Sequence, residues 1–243
     1  MSYLPFIEDN NIKEIVFKVL QAGIEKKNES ENEFYKNVID PFSALFEVAA
    51  FGVNLETWKE SELIRQCQKT LQNQIGTFHQ NILGSVLGWS DLGVGSVIDL
   101  KNEKKKIIAE VKNKYNTVSG GELSAKYNTL QNLVMPKNSE FKNYTAYFVN
   151  IIPKTANRFD NCFQPSDKET GTKCQKNEQI RIIDGASFYE LVTGEKDALG
   201  KVYSVLPKII EDLFREKFNR KFIIPDKDGL NEFFQKAYFK NIS

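Results

Sequence analysis

The chain has 243 residues, of which 41% are hydrophobic and 12% aromatic, so it can bury a sizeable core and is not disordered over most of its length. Its net charge of +1 neither requires nor excludes a nucleic-acid partner, and its three cysteines exclude a framework in which every cysteine is paired. No apolar run is long enough to span a membrane and the N-terminus lacks a signal-peptide pattern, so we expect a cytoplasmic protein.

The N-terminal part of the sequence is predicted to be helical. Apolar residues recur there with a period close to 3.6, which predicts helices over 11–24 and 60–83, with a polar loop at 26–32. The apolar segment at 34–51 is predicted to contain a further helix that starts near Pro41 and ends near Gly52. We therefore expect an N-terminal helical region over residues 1–58, packed on a core with C-terminal helices over residues 59–243, as one structural unit.

Short β-like runs begin after Gly84, where glycines punctuate the sequence. Their composition predicts strands over 96–100, 106–115, 144–152 and 180–183. Helical periodicity predicts helices over 122–134, over 187–194 with Ser187 as N-cap, and over 205–218. Residues 154–178 are predicted to form a polar loop. This order predicts an α/β fold with a central mixed β-sheet flanked by helices.

Acidic residues and lysines offer a route to hydrolysis that needs no histidine, and the chain has a single histidine, His79. Two carboxylates can hold a divalent cation, which lowers the pKa of bound water and neutralises charge on a phosphate. Magnesium is a hard cation that prefers such oxygen ligands. A neighbouring lysine can orient the nucleophile. This chemistry requires two acids and a lysine within one small volume.

An acid two residues before a lysine recurs in the sequence, at Glu25, Asp99, Glu103, Glu110 and Glu140. Only Glu110-Val111-Lys112 lies inside a predicted β-strand. Two ionised residues within a strand are costly unless they are paired or bound to a metal. This context favours a functional role for Glu110 and Lys112.

Strand parity places a third residue with this pair. Side chains alternate along a strand, so Glu110 and Lys112 share one face. A hairpin that turns at residues 102–105 sets Asp99 opposite Ile108, and opposed residues project to the same face. Asp99, Glu110 and Lys112 are thus predicted to converge. An edge hairpin with an ordinary surface salt bridge remains the alternative interpretation.

The three residues resemble the PD-(D/E)xK nuclease motif, with Ile98 in place of the proline before Asp99. More of the chain resembles a group of type II restriction endonucleases that includes enzymes cutting GGNCC-type sites. The similar stretches are HQNILG at 79–84, GW at 88–89, VIDL at 97–100, IIAEVKNKYNT at 107–117, IDG at 183–185 and FYEL at 188–191. This resemblance covers about residues 60–218 and implies a restriction-endonuclease-like core.

The resemblance also implies a site and an activity. Asp99 and Glu110 are implied to bind Mg²⁺, with the main-chain carbonyl of Val111 as a further ligand. Lys112 is implied to assist the attacking water or to stabilise the phosphate. The implied activity is sequence-specific hydrolysis of double-stranded DNA at a short palindromic site, which leaves 5′-phosphates.

Partners follow from the same resemblance. It implies a homodimer that acts alongside a cognate DNA methyltransferase, without a membrane. A repair or junction-resolving nuclease on the same fold, and a non-catalytic DNA-binding module, remain the competing interpretations.

Residues that follow the catalytic strand are candidates for DNA contacts, because lysines meet phosphates and Asn or Lys can read base edges. The candidates are Asn113, Lys114, Tyr115, Asn116, Thr117 and Ser119. A plain polar loop fits these residues equally well. The loop at 154–178, which includes Lys168, either reaches a DNA groove or stays solvated. Glu62 is expected to face solvent rather than to add a metal ligand, and His79 and Gln80 are expected to support the site.

Overall fold

The structure is a computed structural model that describes residues 2–32, 34–36, 38–93, 95–167 and 171–239. Within these ranges the helices are α1 (Asp9–Asn32), α2 (Pro41–Phe51), α3 (Leu55–Gly84), α4 (Gly120–Val134), α5 (Gly185–Thr193), α6 (Ala198–Lys217) and α7 (Lys227–Tyr238). The strands are β1 (Ser90–Asp91), β2 (Leu100–Asn102), β3 (Ile107–Lys114), β4 (Thr145–Ile152), β5 (Asp160–Cys162) and β6 (Ile180–Asp184).

The six strands form one mixed sheet in the order β1-β2-β3-β4-β6-β5. Strands β3, β4 and β6 run parallel, while β1 and β2 on one side and β5 on the other pair antiparallel with their neighbours. The central strand β4 is apolar on both faces because helices cover both. Tyr127 of α4 packs in a cluster with Phe148 on one face, and Phe188 of α5 packs against Tyr147 on the other. The predicted α/β class with a central mixed sheet is confirmed.

Two compact units make up the structure. The first comprises Met1–Glu14 and His79–Ser243 and contains the whole sheet. The second comprises Ile15–Phe78, where the indole nitrogen of Trp58 donates to the Glu47 carboxylate at 2.8 Å. These limits do not coincide with the boundary expected between residues 58 and 59, so that assignment of domains stays a prediction. In the described part of the chain, no helix combines the length and apolar character needed to cross a membrane.

The first helix before the sheet extends beyond its predicted end, whereas the second lies where the sequence indicates. The polar loop predicted at 26–32 is wrong, because α1 continues to Asn32. Polar residues with good helix propensity extend it, and Lys26 pairs with Glu29 one turn later at 3.5 Å. The helix predicted to start near Pro41 and to end near Gly52 is confirmed as α2. The Asp40 carboxylate caps it by accepting the Phe42 N–H at 2.9 Å.

Further differences lie after the sheet begins. The N-cap of α5 is Asp184 rather than Ser187, because the Asp184 carboxylate accepts the Ser187 N–H at 2.9 Å. Helix α6 begins at Ala198, well before residue 205, and contains Pro207. Strand β5 lies inside the loop predicted at 154–178, and β1 and β5 have no counterpart among the predicted elements.

Candidate active site

A tight hairpin between β2 and β3 places Asp99. Leu100 aligns with Ala109 and Asn102 with Ile107, which leaves the turn at residues 103–106. The predicted turn at 102–105 is therefore wrong, and so is the alignment of Asp99 with Ile108. The side-chain oxygen of Asn102 accepts the Lys105 N–H at 2.8 Å and so stabilises the observed turn.

The predicted strand at 96–100 is also largely wrong, since β2 begins at Leu100. The register differs from expectation by two residues, an even number, so the parity of the side chains is preserved. Asp99 N donates to Ala109 O at 2.9 Å, which sets the Asp99 side chain beside the next part of β3.

Asp99 immediately precedes β2, and its carboxylate accepts a hydrogen bond from the edge of β3. Its Oδ2 accepts a hydrogen bond from the main-chain nitrogen of Val111 at 2.6 Å. Because the N–H and C=O of one strand residue point to the same edge, the Val111 carbonyl faces the side of Asp99 as well. The hairpin thus brings a carboxylate and a main-chain carbonyl to one side of β3.

Glu110 is the buried acid of the site, with 5% of its surface exposed. Its Oε1 lies 2.8 Å from Lys112 Nζ and 2.6 Å from Lys126 Nζ. Lys112 shares the strand face of Glu110, whereas Lys126 reaches the site from α4. A carboxylate at this depth needs such partners, since an unpaired buried charge is strongly destabilising.

The two acids experience opposite electrostatic effects. Burial raises the pKa of the Asp99 carboxyl; the Val111 N–H acts against this, and the negative charge of Glu110 adds to it. Burial also disfavours ionisation of Glu110, but the hydrogen bonds from Lys112 and Lys126 outweigh it and lower the pKa of that carboxyl. The Asp99 carboxyl therefore holds its proton more readily than usual and the Glu110 carboxyl less readily, as the pKa directions show.

The donors fit a hard divalent cation. Asp99 and Glu110 offer carboxylate oxygens, and the Val111 carbonyl faces the same region. Within the described ranges, no group of three acidic, His or Cys side chains is arranged as a metal site. Magnesium is usually held by one or two carboxylates and keeps several waters, so two acids suffice for it.

The candidate DNA contacts divide between surface and interior. Lys114, Tyr115, Asn116, Thr117 and Ser119 are exposed. Asn113 lies on the opposite face of β3 from Glu110 and Lys112, and its side-chain oxygen is buried without a hydrogen-bond partner among the described residues.

Two of these candidates also hold local structure. Thr117 accepts the Lys114 N–H at 3.2 Å through its hydroxyl, which closes the turn after β3. Ser119 precedes α4 as its N-cap, and its N–H donates to Glu122 at 3.0 Å.

The remaining candidates serve structure in the described contacts. Glu62 is buried rather than solvent-facing, so that expectation is wrong; its carboxylate pairs with Arg65 at 2.6 Å. His79 Nδ1 lies 2.9 Å from the Tyr189 hydroxyl. In the loop at 154–178, Arg158 pairs with Glu190 at 2.9 Å, and Lys168 lies outside the described residues.

Lys126 is a site residue that the sequence-based prediction missed. It follows Leu123 by three residues and precedes Leu130 by four, so helical spacing puts it on the face of α4 that packs on the sheet. The available signal was a lysine at a position where the helical period predicts an apolar residue.

Comparisons with known proteins identify relatives of this chain. A sequence model of the family described as Eco47II restriction endonuclease matches residues 4–215. The type II restriction enzyme Eco47II of Escherichia coli is 53% identical over 239 residues, which cover 98% of this chain and 100% of that enzyme. The type II restriction enzyme Sau96I of Staphylococcus aureus is 28% identical over 224 residues, or 90% of this chain and 84% of that enzyme. No solved structure gives a significant match.

These relatives place the chain in the class of type II restriction endonucleases, which are site-specific deoxyribonucleases. The repair-nuclease and non-catalytic interpretations are thereby set aside. Within that class, the chain belongs to the Eco47II restriction endonuclease family.

Proposed function

We propose that this restriction enzyme cleaves double-stranded DNA in the presence of Mg²⁺ at a short palindromic site of the GGNCC type, leaving 5′-phosphates, in the cytoplasm. The observation that carries the proposal is the meeting of Asp99, Glu110 and Lys112 beside the Val111 main chain. These residues resemble the PD-(D/E)xK motif, and all four fall within the part of the chain that the family matches.

Asp99, Glu110 and the Val111 carbonyl are proposed to hold the metal. When bound there, Mg²⁺ supplies a water of lowered pKa and neutralises charge on the phosphate. Lys112, which shares the Glu110 strand face, orients the attacking water. Lys126, which contacts the same Glu110 oxygen, adds positive charge beside the phosphate as negative charge develops on it.

DNA contacts are proposed for the segment that follows β3. Lys114 and Asn116 are exposed there, and Tyr115 is 42% exposed. They directly follow the proposed site in sequence, and lysine, asparagine and tyrosine side chains commonly contact phosphates. Thr117 and Ser119 are proposed to support these DNA contacts through the turn and the N-cap that they form. Asn113 is proposed to support them through its place near the end of β3.

Two copies of the chain are proposed to act together, since a palindromic site presents two equivalent strands and one active site addresses one of them. A cognate DNA methyltransferase is the proposed functional partner, because host DNA containing the same site would otherwise be cut.

Digestion of a sequenced plasmid tests the proposal. Incubation with MgCl₂ should give discrete fragments whose mapped ends carry 5′-phosphate and share one short palindrome. The same digestion with EDTA should leave the plasmid intact. Fragments with unrelated ends, or cleavage that proceeds in EDTA, would contradict the proposed specificity or metal dependence respectively.

A further inference from the structure

A buried polar side chain interrupts the apolar sequence of β4. Asn150 lies between the buried residues Val149 and Ile151 and is itself only 6% exposed. Its side-chain oxygen Oδ1 has no hydrogen-bond partner among the residues that the structure describes. Burying an amide oxygen without a partner is unfavourable, so a state of the protein in which a donor reaches Asn150 Oδ1 would be stabilised.

Asn150 stands beside the cleavage site. In the parallel register of the sheet it aligns with Lys112 of β3 on one side and with Asp184 of β6 on the other. Aligned residues of neighbouring strands project to the same face, so Asn150 shares the face of Lys112 and Glu110. Asp184 on its other side is an acceptor, engaged by the N–H groups of Phe159 at 2.7 Å and Ser187 at 2.9 Å.

Lys112 is therefore the donor that the register brings next to Asn150. In the structure, Lys112 Nζ lies 2.8 Å from Glu110 Oε1, the oxygen that Lys126 also contacts. An oxygen of Glu110 that binds a cation cannot serve both ammonium groups as it does here. The Lys112 ammonium has three N–H donors to satisfy, and on this face the Asn150 oxygen lies on the adjacent strand at the same level.

We infer that Asn150 is a positioning residue for DNA cleavage: its Oδ1 accepts a hydrogen bond from Lys112 when Glu110 turns from that lysine to a divalent cation. The inference rests on the proposed function of Lys112 and Glu110. A neutral amide oxygen holds the ammonium in place without adding negative charge next to a phosphate, which an acidic side chain at this position would do.

Two variants of similar size test this role. Asn150→Leu removes the acceptor, and Asn150→Asp keeps one. For Asn150→Leu we expect kcat on a duplex with the mapped site to fall about 10- to 100-fold, as for other groups that orient a catalytic side chain. Its DNA Kd in Ca²⁺, and its Mn²⁺ affinity measured by calorimetry without DNA, should stay near the wild-type values. Asn150→Asp should retain a higher kcat than Asn150→Leu.

The melting midpoint distinguishes a positioning role of Asn150 from a packing role. The melting midpoint of Asn150→Leu should not fall below that of wild type, because the change removes a buried oxygen without a partner. If Asn150→Leu fails to fold, Asn150→Ala replaces it as the variant without an acceptor.

Wild-type kcat in the variant without an acceptor would overturn the inference. So would a large loss of Mn²⁺ affinity, which would make Asn150 a metal ligand instead. Lys112→Met distinguishes failure of the proposed function of the site from failure of the role of Asn150. If Lys112→Met cleaves like wild type, the proposed function of the site fails; if it is inactive while Asn150→Leu cleaves normally, only the role of Asn150 fails.

Discussion

The Asp99 carboxylate completes the edge of β3 for Val111, with Oδ2 at 2.6 Å from the Val111 nitrogen. Two residues earlier in β3, the Ala109 carbonyl still accepts a main-chain hydrogen bond, from Asp99 N at 2.9 Å. The Asp99 side chain therefore accepts the hydrogen bond that a neighbouring strand would otherwise accept, and it is also a proposed ligand of the metal. Structure and catalysis can be separated at Asp99 by choosing which property a substitution removes.

Asp99→Asn should abolish cleavage while leaving the protein folded. The amide retains an oxygen that can accept the Val111 N–H but loses the negative charge required of a metal ligand, so we expect kcat to drop by at least about 1,000-fold. Asp99→Ala should be equally inactive and also less stable by about 1–3 kcal/mol, because it leaves the Val111 N–H without its acceptor. Plasmid cleavage and urea unfolding measure the two effects, and DNA binding without metal should survive in both. Undiminished cutting by either variant would contradict the assignment.

Lys112 and Lys126 should protect the fold jointly by neutralising Glu110. Replacing both with methionine leaves a carboxylate that is 5% exposed without either partner, and we expect a loss of about 3–5 kcal/mol in the free energy of unfolding at pH 7. Adding Glu110→Gln should recover most of that loss, since a neutral amide needs no counter-charge. Urea unfolding of the two variants checks this.

The matched control for these lysines is Lys104, which lies exposed in the hairpin turn. Lys104→Met should leave the unfolding free energy within about 0.5 kcal/mol of wild type. If the Lys112→Met/Lys126→Met variant were as stable as this control, Glu110 would not depend on the two lysines.

Calcium should support DNA binding without turnover. Two carboxylates and a carbonyl can bind Ca²⁺, but it accepts more ligands at longer distances than Mg²⁺ and so does not set the reacting groups in the same geometry. Mobility-shift assays should show tighter binding of the site-containing duplex in CaCl₂ than in EDTA, with no product. Asp99→Asn should lose the difference between CaCl₂ and EDTA. Equal binding by the wild type in both conditions would argue against a metal between protein and DNA.

Strand parity explains why the convergence of Asp99, Glu110 and Lys112 could be predicted from the sequence although the hairpin register could not. Which face a residue occupies depends only on whether the offset is even or odd, and the two-residue error preserved it. The register itself depends on the turn, which the side chain of Asn102 stabilises. That contact has no periodic signature in the sequence.

The contributions of Lys126 and Asn150 depend on how separate elements pack. Lys126 meets Glu110 only because α4 lies across the sheet, and Asn150 adjoins Lys112 only because β4 pairs with β3 in one particular register. Neither relation is local in the chain. Strands β1 and β5 were missed for a different reason, since two or three residues are too few to establish an alternating pattern.

His79 should make the protein sensitive to mild acid. Burial lowers the pKa of its imidazole to about 4, and its Nδ1 lies 2.9 Å from the Tyr189 hydroxyl. The unfolded chain, with a pKa near 6.5, then binds the proton more readily than the folded one. The stability conferred by a neutral His79 is thus present above about pH 6.5 and is lost as the pH falls towards 4, by at most about 3 kcal/mol.

The single histidine makes this measurable as one imidazole signal in a proton NMR titration. We expect that signal to titrate near pH 4 in the wild type, and to stay well below 6.5 in Tyr189→Phe, because burial rather than the hydroxyl lowers the pKa. In His79→Gln, urea unfolding should show a smaller loss of stability between pH 6.5 and 4.5 than in wild type, since the group that takes up the proton is gone. An imidazole that titrates at its ordinary pKa in the folded wild type would show that His79 is solvated, and the acid sensitivity would then need another source.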